Sequence, residues 1–134
     1  AGPAAQDFLL EDVNGRQVRL ASFRGKNLLL VFWSVDCSWC EREKPDLSRL
    51  AREKKGKVEV VAVVGESRQA VLDYMKKEDI AFQILIDKGR RVFAYYGTVG
   101  IPDHFLLDAR GETVGRRLGY ANYEVLSRLT SVLP

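Results

Sequence analysis

The stretch Leu28-Leu29-Leu30-Val31-Phe32-Trp33-Ser34-Val35-Asp36-Cys37-Ser38-Trp39-Cys40 runs from unbroken apolar residues into two cysteines separated by two positions. An apolar run of that length without alternation predicts a central strand covered on both faces. The residues after Cys37 predict a helix from Ser38 to about Lys55, with Leu47, Leu50 and Ala51 on one face. Pro45 falls inside it and is expected to kink it, because proline supplies no backbone donor. Gly56 closes it. Both cysteines therefore lie where a buried strand hands over to a helix.

Around this unit the sequence alternates strands and helices. Phe8-Leu9-Leu10 and Arg16-Gln17-Val18-Arg19-Leu20, split by Asn14-Gly15, predict an N-terminal β-hairpin. Val58 to Val64 reads as a second buried strand. Ser67 is an N-cap for a helix to about Glu78, with Val71, Leu72 and Met75 inward. Further expectations are a strand over Phe82 to Ile86 and a short helix over Arg91 to Tyr96. Strands His104 to Leu107 and Glu112 to Leu118 follow, joined through Asp108-Ala109-Arg110-Gly111, then a helix from the Asn122 cap to about Leu133. The order implies an α/β fold in one domain, 1–134, with a central mixed sheet and helices on both faces.

Composition narrows the function classes. The 134 residues carry a net charge of +3, with basic and acidic residues interspersed. The densest basic run, Arg49, Arg52, Lys54, Lys55 and Lys57, suits a solvated helix end, and no nucleic-acid module accompanies it. No apolar stretch approaches the roughly 20 residues needed to cross a bilayer. The opening Ala1-Gly2-Pro3-Ala4-Ala5 has no charged-then-apolar signal and reads as a mature end or a trimmed one. Membrane contact is expected only through an anchor outside this chain, and the protein is expected to be monomeric.

Two cysteines and one histidine, His104, are too few for a zinc site, and two cysteines within four residues staple little. A bridge closing so short a loop contributes little chain-entropy stabilisation, so redox chemistry is the stronger reading. The free N–H groups and dipole of a helix start favour an anion, which suits a thiolate at Cys37. Residues three apart share a helix face, so Cys40 can reach Cys37. Cys37 is then the attacking thiol and Cys40 the resolving one. The redox-active disulfide Cys37–Cys40 is the only cofactor expected, with no metal.

The pattern Phe8-Leu9-Leu10-Glu11-Asp12, Gly15, Val18, Leu20, Phe23-Arg24-Gly25-Lys26, Leu30-Val31-Phe32-Trp33, Cys37, Cys40, Glu43 and Pro45 resembles the TlpA/ResA-like branch of thioredoxins. Gly97-Thr98-Val99-Gly100-Ile101-Pro102, Phe105-Leu106-Leu107-Asp108 and Gly111 extend the likeness over nearly the whole chain. The resemblance implies a thioredoxin-like fold and an extracytoplasmic oxidoreductase acting on protein disulfides, apocytochrome c among them, supplied by an upstream thiol donor. It implies a cis-proline at Pro102, which would place the Ile101 backbone beside Cys37 as a platform for an extended substrate. It assigns Glu43 to handling the Cys40 proton, against the plainer alternative of a solvated carboxylate among Glu41, Arg42 and Lys44. Asp103 matches an acidic position that touches substrate, with a strand-entry role as the alternative. Trp33 would pack under the active site.

The chain also departs from that pattern. Val31 stands where ordinary thioredoxin carries a buried acid. Trp39 stands where the branch often has proline, forming an apolar lip beside the thiol. Asp36 brings a negative charge next to Cys37. A packed or surface role is expected for His104. Two rival readings are a peroxiredoxin-like peroxidase, for which Ser34 has the right spacing and Leu30 lacks the expected proline, and a copper- or haem-handling module using the cysteine pair.

Overall fold

The computed structural model describes residues 4–133, and the opening Ala1-Gly2-Pro3 lies outside them. Seven strands form one sheet in the order β2-β1-β5-β4-β3-β6-β7. They are β1 (Leu9–Asp12), β2 (Gln17–Arg19), β3 (Asn27–Phe32), β4 (Val58–Val64), β5 (Gln83–Ile86), β6 (Asp103–Leu107) and β7 (Thr113–Leu118). The helices are α1 (Ser38–Glu53), α2 (Arg68–Lys77), α3 (Arg91–Tyr95) and α4 (Tyr123–Thr130). Pairing is parallel between β3 and β4 and between β4 and β5, and antiparallel elsewhere, so the sheet is mixed as expected.

β3 is buried along its whole length, and its flanking strands are parallel β4 and antiparallel β6. On one face its alternate residues Leu29 and Val31, with Trp33 beyond its end, join Leu47 and Leu50 of α1, Val71 of α2 and Leu126 of α4. On the other face Leu28, Leu30 and Phe32 meet Phe8, Leu10 and Leu20 with Val92 and Phe93 of α3. Helices thus cover both faces, three on one and α3 on the other. The N-terminal hairpin forms, and its turn is held by Asp12 Oδ1 accepting from Asn14 and Arg16 N–H, with Gly15 at φ +81°.

Several element ends differ from expectation by a few residues. α1 passes through Pro45 without a break and stops at Glu53, short of Lys55, because the chain turns on the Lys54 carbonyl, which accepts from both Lys57 and Val58. The final helix ends at Thr130, whose hydroxyl donates to the Leu126 carbonyl. The second hairpin turn is fastened by Asp108 Oδ1, which accepts from Arg110 and Glu112 N–H. Among the described residues no helix is long and apolar enough to cross a membrane.

Candidate active site

The site is built at the carboxyl end of β3. The chain leaves the sheet at Phe32, crosses Trp33 to Asp36, and enters α1 with Cys37 as its N-cap. Two side chains shape that crossing. The Ser34 hydroxyl accepts from Asp36 N–H, and Glu66 Oε1 accepts from Val35 N–H at 3.0 Å. Arg90 reaches the other oxygen of Glu66 from beyond β5. Neither Glu66 nor Arg90 was suggested by the sequence, since nothing local ties them to a loop more than thirty residues earlier.

Both cysteines are reduced. Cys37 is half-buried, and its sulfur accepts from the Cys40 backbone N–H at 3.3 Å. The cap therefore points the sulfur into the free donors of the first turn, where negative charge is stabilised. Cys40, one turn in, is fully buried. That burial raises the pKa of its thiol well above the ordinary range. The hydrogen bond with Cys37 and the nearby charges of Cys37 and Glu43 act in the same sense, against a backbone hydrogen bond at Ser34. A thiol so placed stays protonated at neutral pH, so its attack on Cys37 needs a proton acceptor close by.

Glu43 lies on the same face of α1 as Cys40, one turn further on, and is fully buried. The solvated-carboxylate alternative is excluded. Its Oε1 accepts from Ala121 N–H at 2.8 Å, and its Oε2 lies 2.8 Å from Nε2 of His104. His104 is itself fully buried, and its Nδ1 lies 2.8 Å from the Arg117 carbonyl. The sequence had left this histidine without a specific partner, because only the register of β6 brings it over α1.

The Ile101–Pro102 bond is cis. The pairing of Phe32 with Asp103 sets Pro102 directly beyond the end of β3, level with Trp33 at the entrance to the cysteine loop. Ile101 and Cys37 pack against the same cluster that holds Trp33 and Cys40. Trp33 is fully buried, edge-on to Tyr74 and Phe82. Trp39 is 53% exposed on the first turn of α1, against Tyr120, with the Arg42 guanidinium over both rings.

Asp103 is fully buried, its side chain held by Nε and Nη2 of Arg116 and by the Thr98 hydroxyl. Arg116 also donates to the Gly97 carbonyl, so this ion pair fastens the segment leading to Pro102.

Residues 1–114 match the AhpC/TSA family. The chain is 34% identical over 127 residues to the thiol-disulfide oxidoreductase ResA of Bacillus thuringiensis subsp. konkukian, covering 93% of this chain and 73% of that protein. Among solved structures, the exposed lipoprotein thioredoxin Etrx1 of Streptococcus pneumoniae superposes with a TM-score of 0.85 at 26% identity, over 96% of this chain and 100% of that one. A secreted disulfide oxidoreductase of Mycobacterium tuberculosis does so at 0.81 and 25%, over 94% and 96%. A thioredoxin-like sheet, a cysteine pair capping the helix after its central strand, and these likenesses make the chain a member of the AhpC/TSA family, a ResA-like thiol-disulfide oxidoreductase.

Proposed function

We propose that the protein reduces disulfides of other proteins outside the cytoplasm, with apocytochrome c among its substrates. The observation that carries the reading is the asymmetry of the pair: Cys37 is half-buried at a helix N-cap, and Cys40 is sealed behind it. The Cys37 thiolate attacks a substrate disulfide, forming a mixed disulfide and expelling one substrate sulfur, which takes up a proton. Cys40 gives its proton to Glu43 and attacks the Cys37 sulfur. The Cys37–Cys40 bond forms and the second substrate sulfur leaves with the bonding pair. Two electrons pass to the substrate, and an upstream thiol donor returns the protein to its dithiol form.

The backbone of Ile101, ahead of Pro102, serves as the edge on which an extended substrate segment lies. Trp39 and Tyr120 give that segment an apolar wall. The secreted or exposed relatives support the compartment, and the resemblance to the cytochrome-maturation branch supports the substrate.

Replacing Cys40 by serine stops the reaction at the mixed disulfide. Expressed in its native compartment, the C40S variant is expected to accumulate covalent adducts through Cys37, with apocytochrome c among them. Recovery of unrelated envelope proteins alone rejects the maturation role. Absence of any adduct, in a variant that folds, rejects the two-thiol mechanism.

A further inference from the structure

We propose that His104 is a positioning residue for the resolving step: with Glu43 it forms a buried couple that holds one shared proton and takes up a second when Cys40 ionises. This rests on the reading of Glu43 as acceptor of the Cys40 proton and adds the partner that makes it one.

Hydrogen-bond accounting fixes the couple. The Arg117 carbonyl can only accept, so Nδ1 of His104 carries a hydrogen. Nε2 then faces Oε2 of Glu43 at 2.8 Å in one of two forms: a bare nitrogen opposite a carboxyl, or an N–H opposite a carboxylate. In both forms a single proton lies between them, and Ala121 N–H occupies the other carboxyl oxygen. Removing that proton would set two lone pairs face to face away from bulk solvent, since both side chains are fully buried. The couple is therefore neutral while Cys40 is a thiol.

A lone Glu43 carboxylate that accepts the Cys40 proton becomes a neutral carboxyl and leaves the new thiolate with no counter-charge in a buried setting. With His104 behind it, acceptance of the Cys40 proton leaves an imidazolium and a neutral carboxyl. The new positive charge then lies near the new thiolate, where a low dielectric makes the attraction strong.

The surroundings leave the couple to Cys40. From α1, Asp46 is engaged by Tyr123 N–H and Lys44 is turned to Glu41 and Glu78. From β7, the Arg117 guanidinium runs out to the Tyr120 carbonyl. Within β6, Asp103 points to the opposite face, held by Arg116. From β3, the residue across from His104 is Val31, so the titratable group on this face comes from β6.

His104 is the single histidine of the chain, so nitrogen NMR of the imidazole reports this ring alone. Spectra of reduced and oxidised protein across about pH 5 to 9 are expected to show Nδ1–H throughout and an Nε2 protonation that differs between the redox forms. In rapid-quench assays with a peptide disulfide, H104Q is expected to slow the resolving step about tenfold and move its rise to higher pH. In an E43Q background the same substitution is expected to add nothing. Identical ring resonances in both redox forms overturn the proposal without recourse to variants. So does an equal slowing by H104Q with and without Glu43. If E43Q resolves as fast as wild type, the acceptor reading itself fails; if E43Q is slow and H104Q is not, only the role of His104 fails.

Discussion

Glu43 sits between charged neighbours in sequence and among buried partners in space. Cys40, Glu43, Leu47 and Leu50 form one buried stripe of α1, which decides between the two readings the sequence left open for the carboxylate. What the sequence did not reveal was its partners, Ala121 N–H and His104, which come from segments far along the chain. Truncating it strands both. E43A is expected to lower stability by about 3 kcal/mol, read from urea denaturation, whereas E43Q keeps an acceptor for Ala121 and costs clearly less. Equal costs would mean that the buried hydrogen bonds are not what makes the position sensitive. Asp103 shows the same limit. Its place after Pro102 suggested substrate contact, and its partner Arg116 lies on the neighbouring strand. A sequence reading has no access to that pairing.

At the scale of elements, the cysteine loop depends on a clamp from the far side of β4. Glu66 accepts from Val35 N–H, and Arg90 lies over Gly65 to reach Glu66. A Cβ on Gly65 would stand 2.5 Å from Arg90 Nε, and Arg90 itself holds a left-handed φ of +55°. The glycine is thus the space through which the arginine passes. E66A is expected to cost about 1 kcal/mol and to speed hydrogen exchange at the Val35 amide, measured by NMR. Unchanged exchange there would show that the loop is held by its own turn, through Ser34 and Asp36. The strands and helices themselves were legible because their signals are local: an apolar run for β3, a Ser67 cap for α2, and the Asn122 cap that accepts from Val125 N–H for α4. Their ends were less so, as at Lys54, where the turn's own hydrogen bonds decide the stop.

Over the whole molecule, the sheet separates two cores, and the reactive pair sits at the rim of one of them. Sealing Cys40 into that core ties redox state to stability. Folding raises the pKa of its thiol, so between the unfolded and folded values the native state binds more protons than the unfolded one. Unfolding free energy must then fall as pH rises. The reduced protein is expected to lose stability from about pH 9, the ordinary thiol range, with the half-buried Tyr74 and Tyr96 phenols adding to the loss above pH 10.0. The oxidised protein has no thiol to titrate and is expected to lack the first part of that decline. Urea denaturation of both forms over a pH series checks it, and parallel curves would contradict the burial argument. The α/β class, the mixed sheet and the cysteine pair could all be read from the chain. The cross-strand partners that tune the pair could not, since register and side-chain competition exist only once the sheet is closed.

The central claim is that Cys37 and Cys40 pass two electrons to a protein disulfide through a covalent intermediate. The most direct measurement mixes reduced protein with a disulfide-bonded protein substrate, quenches with acid at successive times, and weighs the products by mass spectrometry. The account predicts a transient adduct through Cys37, then a Cys37–Cys40 disulfide formed in step with one reduced substrate disulfide. It also predicts persistence of the adduct in C40S and its absence in C37S. Substrate reduction by C37S, or reduction without an internal disulfide in the wild type, would contradict it.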